Sequence, residues 1–283
     1  MGTEYSRHGY RSDPVDSGHD DRSWLVPKIA LVTGASQGIG LELAERLAAD
    51  GYCLVLVGRD PHNLELAAAQ LELDQPCRTQ AFSTDLSAPG ATARLVEQLD
   101  EKGIEVEVLV NNAAYGATGS FAKLDLDTQL GMIRLNIASL TELTYRLVGP
   151  MVQRGHGKIL NIASTAAFEP GPGMAVYYAT KAYVLSFSEA IAEELTGSGV
   201  TVTTLCPGPT ETGFQQRAGV EASRLIQIGM MTAHDVATAA YEGMVAGKRI
   251  VIPGAMNKAA VHANRLFPRR LITSVAGRLH RDR

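Results

Sequence analysis

The stretch VYYATKAYV (176–184) sets two adjacent tyrosines, Tyr177 and Tyr178, four and three residues ahead of Lys181. A phenol beside an ammonium can carry a proton. The positive charge favours the phenolate and draws the group down from its ordinary value near ~10. At about 3.6 residues per turn, both spacings bring a tyrosine to the lysine's face, so helical geometry alone leaves two candidates. Upstream, NIASTAAF (161–168) puts Ser164 just past an apolar run, where its hydroxyl can point into a cleft. RLNIAS (134–139) carries Asn136 mid-helix, where an amide has no obvious structural need. Such a set suits proton transfer to or from an oxygen, as when hydride adds to a carbonyl or leaves an alcohol.

These residues need a frame to position them. Apolar runs at 28–32, 53–57, 106–110, 158–162, 200–205 and 249–253 read as buried strands, with a weaker one near 77–83. Between them lie helical patterns at 38–50, 61–73, 91–102, 127–153, 175–197 and 233–245. In the fourth, Ile133, Ile137, Leu140 and Leu147 mark an apolar stripe. Strand–helix alternation of this length predicts an α/β, Rossmann-type, doubly wound parallel sheet of about seven strands with helices on both faces. A single domain is expected over 28–253. Residues 1–27, polar and charged, read as a disordered extension.

ALVTGASQGIGLELAERLAADG (30–51) runs strand, glycine turn, helix. Gly34, Gly38 and Gly40 allow a tight turn and close backbone approach, and the helix start offers N–H groups and a positive dipole end to a diphosphate. The spacing G-x-x-x-G-x-G, followed by NNAA (111–114), Ser164 and Tyr177-x-x-x-Lys181, resembles the short-chain dehydrogenase/reductase family. The resemblance covers roughly residues 28–253. It implies a nicotinamide cofactor and interconversion of a carbonyl and an alcohol. It also separates the tyrosines. The family places its serine thirteen residues before its tyrosine and a small residue before its lysine. Tyr177 fits both, with Ser164 and Thr180, and Tyr178 fits neither. The implied roles are proton transfer by Tyr177, electrostatic tuning and ribose binding by Lys181, substrate polarisation by Ser164, and a proton link to solvent through Asn136.

The cofactor residues expected are Gly34, Ser36, Gln37, Gly38, Ile39 and Gly40 in the turn, then Arg59, Asp85, Leu86, Asn111, Ala113, Tyr177 and Lys181. Pro207, Gly208, Thr210 and Thr212 follow in CPGPTET (206–212), which resembles the loop facing the nicotinamide. Arg59 and Asp60 compete at the end of the second strand. An acid there would bind the ribose hydroxyls of NAD, and a base the 2′-phosphate of NADP. Asp60-Pro61 also reads as a helix cap and first turn. That leaves Arg59 to the cofactor and NADP(H) preferred, with NAD(H) as the alternative. Ala114 stands where the family usually has glycine.

Phe168 and Met174 in the loop from serine to tyrosine, with Phe214 and Met230 around a lid at about 209–231, predict a hydrophobic carbonyl or alcohol substrate. No charged residue in these segments demands an ionic one. The resemblance also implies a homodimer or homotetramer paired through the helices of Asn136 and Tyr177. A catalytically silent nucleotide sensor or scaffold is the alternative reading, and the complete proton-relay set argues against it.

The bulk numbers agree. A net charge of −4 over 283 residues argues against nucleic-acid binding. Cys53, Cys77 and Cys206 form neither a disulfide framework nor a zinc pattern, and no metal is expected. The N-terminus lacks an apolar signal core, so a cytoplasmic protein is expected. The end, 254–283, reads as a basic helical extension, with seven Lys or Arg from Lys258 to Arg283 against Asp282. Packing on the domain is favoured over peripheral contact with a membrane surface.

Overall fold

The computed structural model describes residues 28–75, 77–214, 218–219, 230–264 and 267–281. The extension 1–27 and most of the expected lid lie outside them.

Seven parallel strands form one sheet in the order β3-β2-β1-β4-β5-β6-β9. They are β1 (Ile29–Thr33), β2 (Cys53–Gly58), β3 (Thr79–Ser83), β4 (Val106–Asn111), β5 (Gly157–Ile162), β6 (Val200–Leu205) and β9 (Ile250–Val251). The strand order reverses between β1 and β4, which opens a crevice at their C-terminal ends. The central strands are apolar on both faces because helices cover both. On one side, α1 (Gly38–Ala49) and α7 (Ala233–Val245) bury Leu43, Leu47, Val236 and Ala240 against Val32 and Val110. On the other, α3 (Ala91–Glu101) and α5 (Leu140–Arg154) bury Leu95, Leu99, Leu143 and Leu147 against Leu31 and Leu109. The helix α2 (Pro61–Asp74) starts on Asp60, whose carboxylate accepts from the Asn63 N–H at 3.2 Å. Asp60 is thus the helix cap that its place before Pro61 predicts.

The long helix expected over 127–153 is interrupted. After α4 (Leu126–Ile133) comes a π-helical turn, Arg134–Ser139, and α5 follows without a break. One extra residue in a turn shifts the phase of everything beyond it. The buried positions are therefore Met132, Leu135, Asn136 and Ser139, then Leu140 and Leu147. Ile133, placed on the apolar stripe by regular periodicity, faces outward and is 40% exposed.

Two short strands were not foreseen. β7 (Thr210–Glu211) pairs with β8 (Met231–Thr232), pinning together the two ends of the segment expected to act as a lid. The C-terminal region folds as two helices, α8 (Ala255–Asn264) and α9 (Arg269–Arg281), with Pro268 immediately before the second. Ile272 and Ala276, one turn apart on α9, are buried, while Leu271 is half exposed.

Candidate active site

The crevice between β1 and β4 is the mouth of a cleft of about 700 Å³, within the ~300–1,000 Å³ range of small-molecule and cofactor sites. One end is made by the glycine turn. Gly34 has φ +66°, and a β-carbon there would stand 2.8 Å from the Asn112 amide and 3.0 Å from Cα of Ala113. Only glycine lets the ends of β1 and β4 approach so closely. Thr33 fastens the same junction. Its hydroxyl donates to the Val110 carbonyl at 3.2 Å and accepts from the N–H groups of Asn112 and Ala113 at 2.9 and 3.0 Å. The first turn of α1 has no side-chain cap from Gln37. Its N–H groups and dipole start beside Ser36, Gln37, Gly38 and Ile39 in the cleft wall, a cradle suited to a diphosphate. Gly40 is not in the wall. It packs under the turn, and a side chain there would strike the Gly34 carbonyl.

Further along lie Arg59, Thr84, Leu86, Asn112, Ala113 and Ala114. Asp85 and Asn111, both expected to contact cofactor, are turned elsewhere. Asp85 accepts from the Ser87 N–H and hydroxyl at 3.0 and 2.6 Å, and its neighbours Thr84 and Leu86 face the cleft instead. Asn111 is buried between strands. Its amide donates to Thr144 at 3.1 Å and to Asn161 at 2.9 Å, and Asn161 in turn donates to Ser188 at 2.8 Å. This polar chain braces β4 and β5 to the helices, while alternation along the strand delivers Asn112 to the cleft.

At the far end, Ser164, Tyr177 and Lys181 come together in the wall. Ser164 begins a short 3-10 turn, Thr165–Phe168, and its hydroxyl accepts from the Ala166 N–H at 3.1 Å. Tyr177 and Lys181 lie on one face of α6 (Ala175–Glu194), both buried. The Lys181 ammonium donates to the Ile162 carbonyl at 2.8 Å and stands 5.8 Å from the centre of the Tyr177 ring. Burial pushes the Tyr177 phenol up, against a hydrogen bond from Ser164 that draws it down. This is the reverse of the direction expected from a nearby lysine. The cost of burying a phenolate sets the direction, with the neighbouring Tyr178 adding to it. Burial lowers Lys181 to about 8, partly offset by Cys206.

Asn136 makes no direct hydrogen bond to Lys181 among the described residues. From the π-helical turn its amide donates to the Tyr115 carbonyl at 2.9 Å and the Thr180 hydroxyl at 3.0 Å, and its oxygen accepts from the Tyr115 N–H at 3.2 Å. It ties the loop after β4 to the residue preceding Lys181.

Pro207, Gly208, Thr210, Thr212, Met174 and Phe214 line the cleft as expected. Phe214 lies 5.2 Å from Tyr177, ring centre to ring centre. Phe168 instead packs into a separate cluster with Leu140, Val184 and Cys206. Met230 is also outside the wall, beside the β7–β8 pair. Among the further lining residues, Tyr178, Glu169 and Ala276 were not singled out as substrate residues. Tyr178 stands edge-on to Tyr177 at 6.1 Å and packs over Gly171. Glu169 brings a carboxylate. Ala276 comes from α9, so the C-terminal helix forms part of the wall. Glu169 had a signal, its place between Ser164 and Tyr177. Ala276, about a hundred residues further on, had none.

A doubly wound sheet, a glycine cradle at its switch point and a Ser–Tyr–Lys group in the cleft wall define a dinucleotide-binding oxidoreductase. The short chain dehydrogenase family model matches residues 28–222, and the chain belongs to that family. It is 31% identical to the ketoacyl reductase HetN of Nostoc sp. over 221 residues, which are 78% of this chain and 76% of that one. The structure of a short-chain dehydrogenase from Sphingobium yanoikuyae in complex with NADPH is similar, with 34% identity and a TM-score of 0.75, covering 85% of this chain and 94% of that one. A family member from Burkholderia phymatum in complex with NAD shares 26% identity at a TM-score of 0.75, over 83% of this chain and 92% of that one.

Proposed function

We propose that this protein interconverts a hydrophobic carbonyl compound and its alcohol using NADP(H), with Tyr177 as the proton carrier. The observation that carries the reading is the meeting of part-buried Ser164 with buried Tyr177 and Lys181 at one end of a cleft whose other end is a diphosphate cradle. Bound nicotinamide supplies or accepts the hydride. The protein's part is to bind, orient and move a proton. The turn from Gly34 to Ile39 holds the diphosphate. Pro207, Gly208, Thr210 and Thr212 flank the nicotinamide end, with Met174 and Phe214 as apolar wall. Ser164 and Tyr177 hold the substrate oxygen between them. A phenol kept neutral by burial has its proton to give, which suits delivery to a nascent alkoxide. Lys181, lowered to about 8 and held by Ile162, stands ready to stabilise the phenolate that remains.

The NADP preference rests on Arg59. Asp60 is occupied in capping α2, whereas exposed Arg59 lines the cleft where a 2′-phosphate would lie. A homodimer or homotetramer is the proposed assembly. Leu130, Ile133, Tyr145 and Tyr183 are exposed on α4, α5 and α6, the helices expected to pair. The three unpaired cysteines fit a reducing, cytoplasmic setting. The test is oxidation of NADPH and NADH, followed in parallel over a panel of aldehydes and ketones. Consumption of NADPH with an apolar ketone is expected, and failure of the whole panel with both cofactors would reject the reading.

A further inference from the structure

The substrate half of the cleft is not purely apolar. Glu169 stands in its wall, at the end of the turn that Ser164 begins. Its Oε2 accepts from the Asn264 amide at 2.8 Å, an anchor delivered by the C-terminal end of α8. Its Oε1 has no hydrogen-bond partner among the described residues. The carboxylate is close enough to Tyr178 to push that phenol up, after burial, to about 12. Tyr178 in turn stands edge-on to Tyr177. The chain of neighbours therefore runs from proton carrier to Tyr178 to carboxylate. Other charged groups in the described wall belong elsewhere. Arg59 and Asp60 sit at the adenosine end, and Lys181 is bound to Ile162.

We infer that Glu169 selects the substrate: it accepts a hydrogen bond from a hydroxyl or ammonium group remote from the reacting carbonyl, and it disfavours substrates that carry a carboxylate or other anion there. The inference rests on the oxidoreductase reading and narrows it to carbonyl compounds bearing a hydrogen-bond donor. The physical argument is one of asymmetric cost. An acceptor with one oxygen already oriented by Asn264 gains a charge-assisted bond from a donor, roughly twice as strong as a neutral one. A second anion brought against it in a partly desolvated cleft is repelled. A methyl group leaves Oε1 unpaired and falls between the two. Asn264 makes the carboxylate a fixed element of the wall, so the discrimination is built into its shape.

The test uses the full chain loaded with NADP(H) and acetophenones substituted at the 3- or 4-position with methyl, hydroxymethyl, aminomethyl or carboxylate. Both kcat/KM and dissociation constants are measured, for native protein, Glu169→Gln and Asn264→Ala. Native protein should prefer hydroxymethyl and aminomethyl over methyl, and should bind carboxylate worst, by about tenfold relative to methyl. Glu169→Gln keeps shape and the Asn264 bond but removes charge. It should close the carboxylate gap and weaken the preference for hydroxymethyl and aminomethyl over methyl. If Glu169 only fastens α8, Asn264→Ala will lower the melting temperature and alter all substrates alike, while Glu169→Gln, which keeps that bond, will leave the native order of substrates in place, and the inference falls. Turnover with no ranking among substituents also overturns it. A ranking in binding without turnover rejects the oxidoreductase reading and keeps this one, and binding of none rejects both.

Discussion

Lys181 holds its ammonium 5.8 Å from the centre of the Tyr177 ring while donating to the Ile162 carbonyl at 2.8 Å. The two side chains share a buried face of α6, yet the lysine's hydrogen bond goes to the end of β5. The strand thus fixes the charge, and the helix fixes the phenol against it.

The two tyrosines are predicted to behave differently although both line the cleft. Tyr177→Phe should lower kcat by at least ~100-fold, in line with the loss of a general acid–base, while cofactor affinity is kept. Tyr178→Phe should retain most activity on an apolar ketone. Steady-state kinetics with cofactor titration checks both. The reverse order would move the proton to Tyr178.

The depressed Lys181 makes stability depend on pH with a definite sign. Unfolded, its ammonium titrates near ~10.4, and folded it titrates at about 8. Between these values the unfolded chain holds the extra proton, so stability rises with pH. Below about 8 both states are protonated, and the cost of the buried charge is fully present. Relative to Lys181→Met, the native chain should gain roughly 2–3 kcal/mol between pH 8 and pH 10. Chemical denaturation of the pair across that window measures it. Parallel curves would refute it.

Arg59→Asp should weaken NADP binding far more than NAD binding. Losing a charged contact to a 2′-phosphate costs ~1.5–3 kcal/mol, or roughly ten- to a hundredfold in affinity. Fluorescence titration with both cofactors reports the ratio. An unchanged ratio would show that Arg59 is solvated surface.

Removal of α9 tests the C-terminal region. Ile272 and Ala276 are buried, and Ala276 lines the cleft. A chain ending at residue 267 should show a raised KM and a lowered melting temperature. Neither it nor the full chain should pellet with anionic vesicles. Pelleting by the full chain alone would restore the membrane reading.

What could be read in advance follows from range. Strands and helices are local, and β5 at Gly157–Ile162 and α7 at Ala233–Val245 lie within a residue of where periodicity puts them. The glycine turn was legible because its spacing answers to one backbone shape. The π-helical turn was not, because one inserted residue leaves composition unchanged and only moves the phase. Ile133 was therefore placed inward. Asp85 and Asn111 were assigned to the cleft from their motifs, but which way a side chain leaves a strand end depends on partners such as Ser87 and Asn161. Asn264 meeting Glu169 and Ala276 reaching the cleft are contacts across about a hundred residues, invisible to any window.

The π-helical turn at Arg134–Ser139 also constrains how this chain can change over time. Deleting one residue there would restore an unbroken α-helix and rotate α5 by about 100° against α4. Asn136 would leave Thr180, and the buried face of α5 would swing toward solvent, so the extra residue is not one that can be trimmed by itself. A change of length in 126–154 would therefore need a compensating second change to keep Asn136 at Thr180.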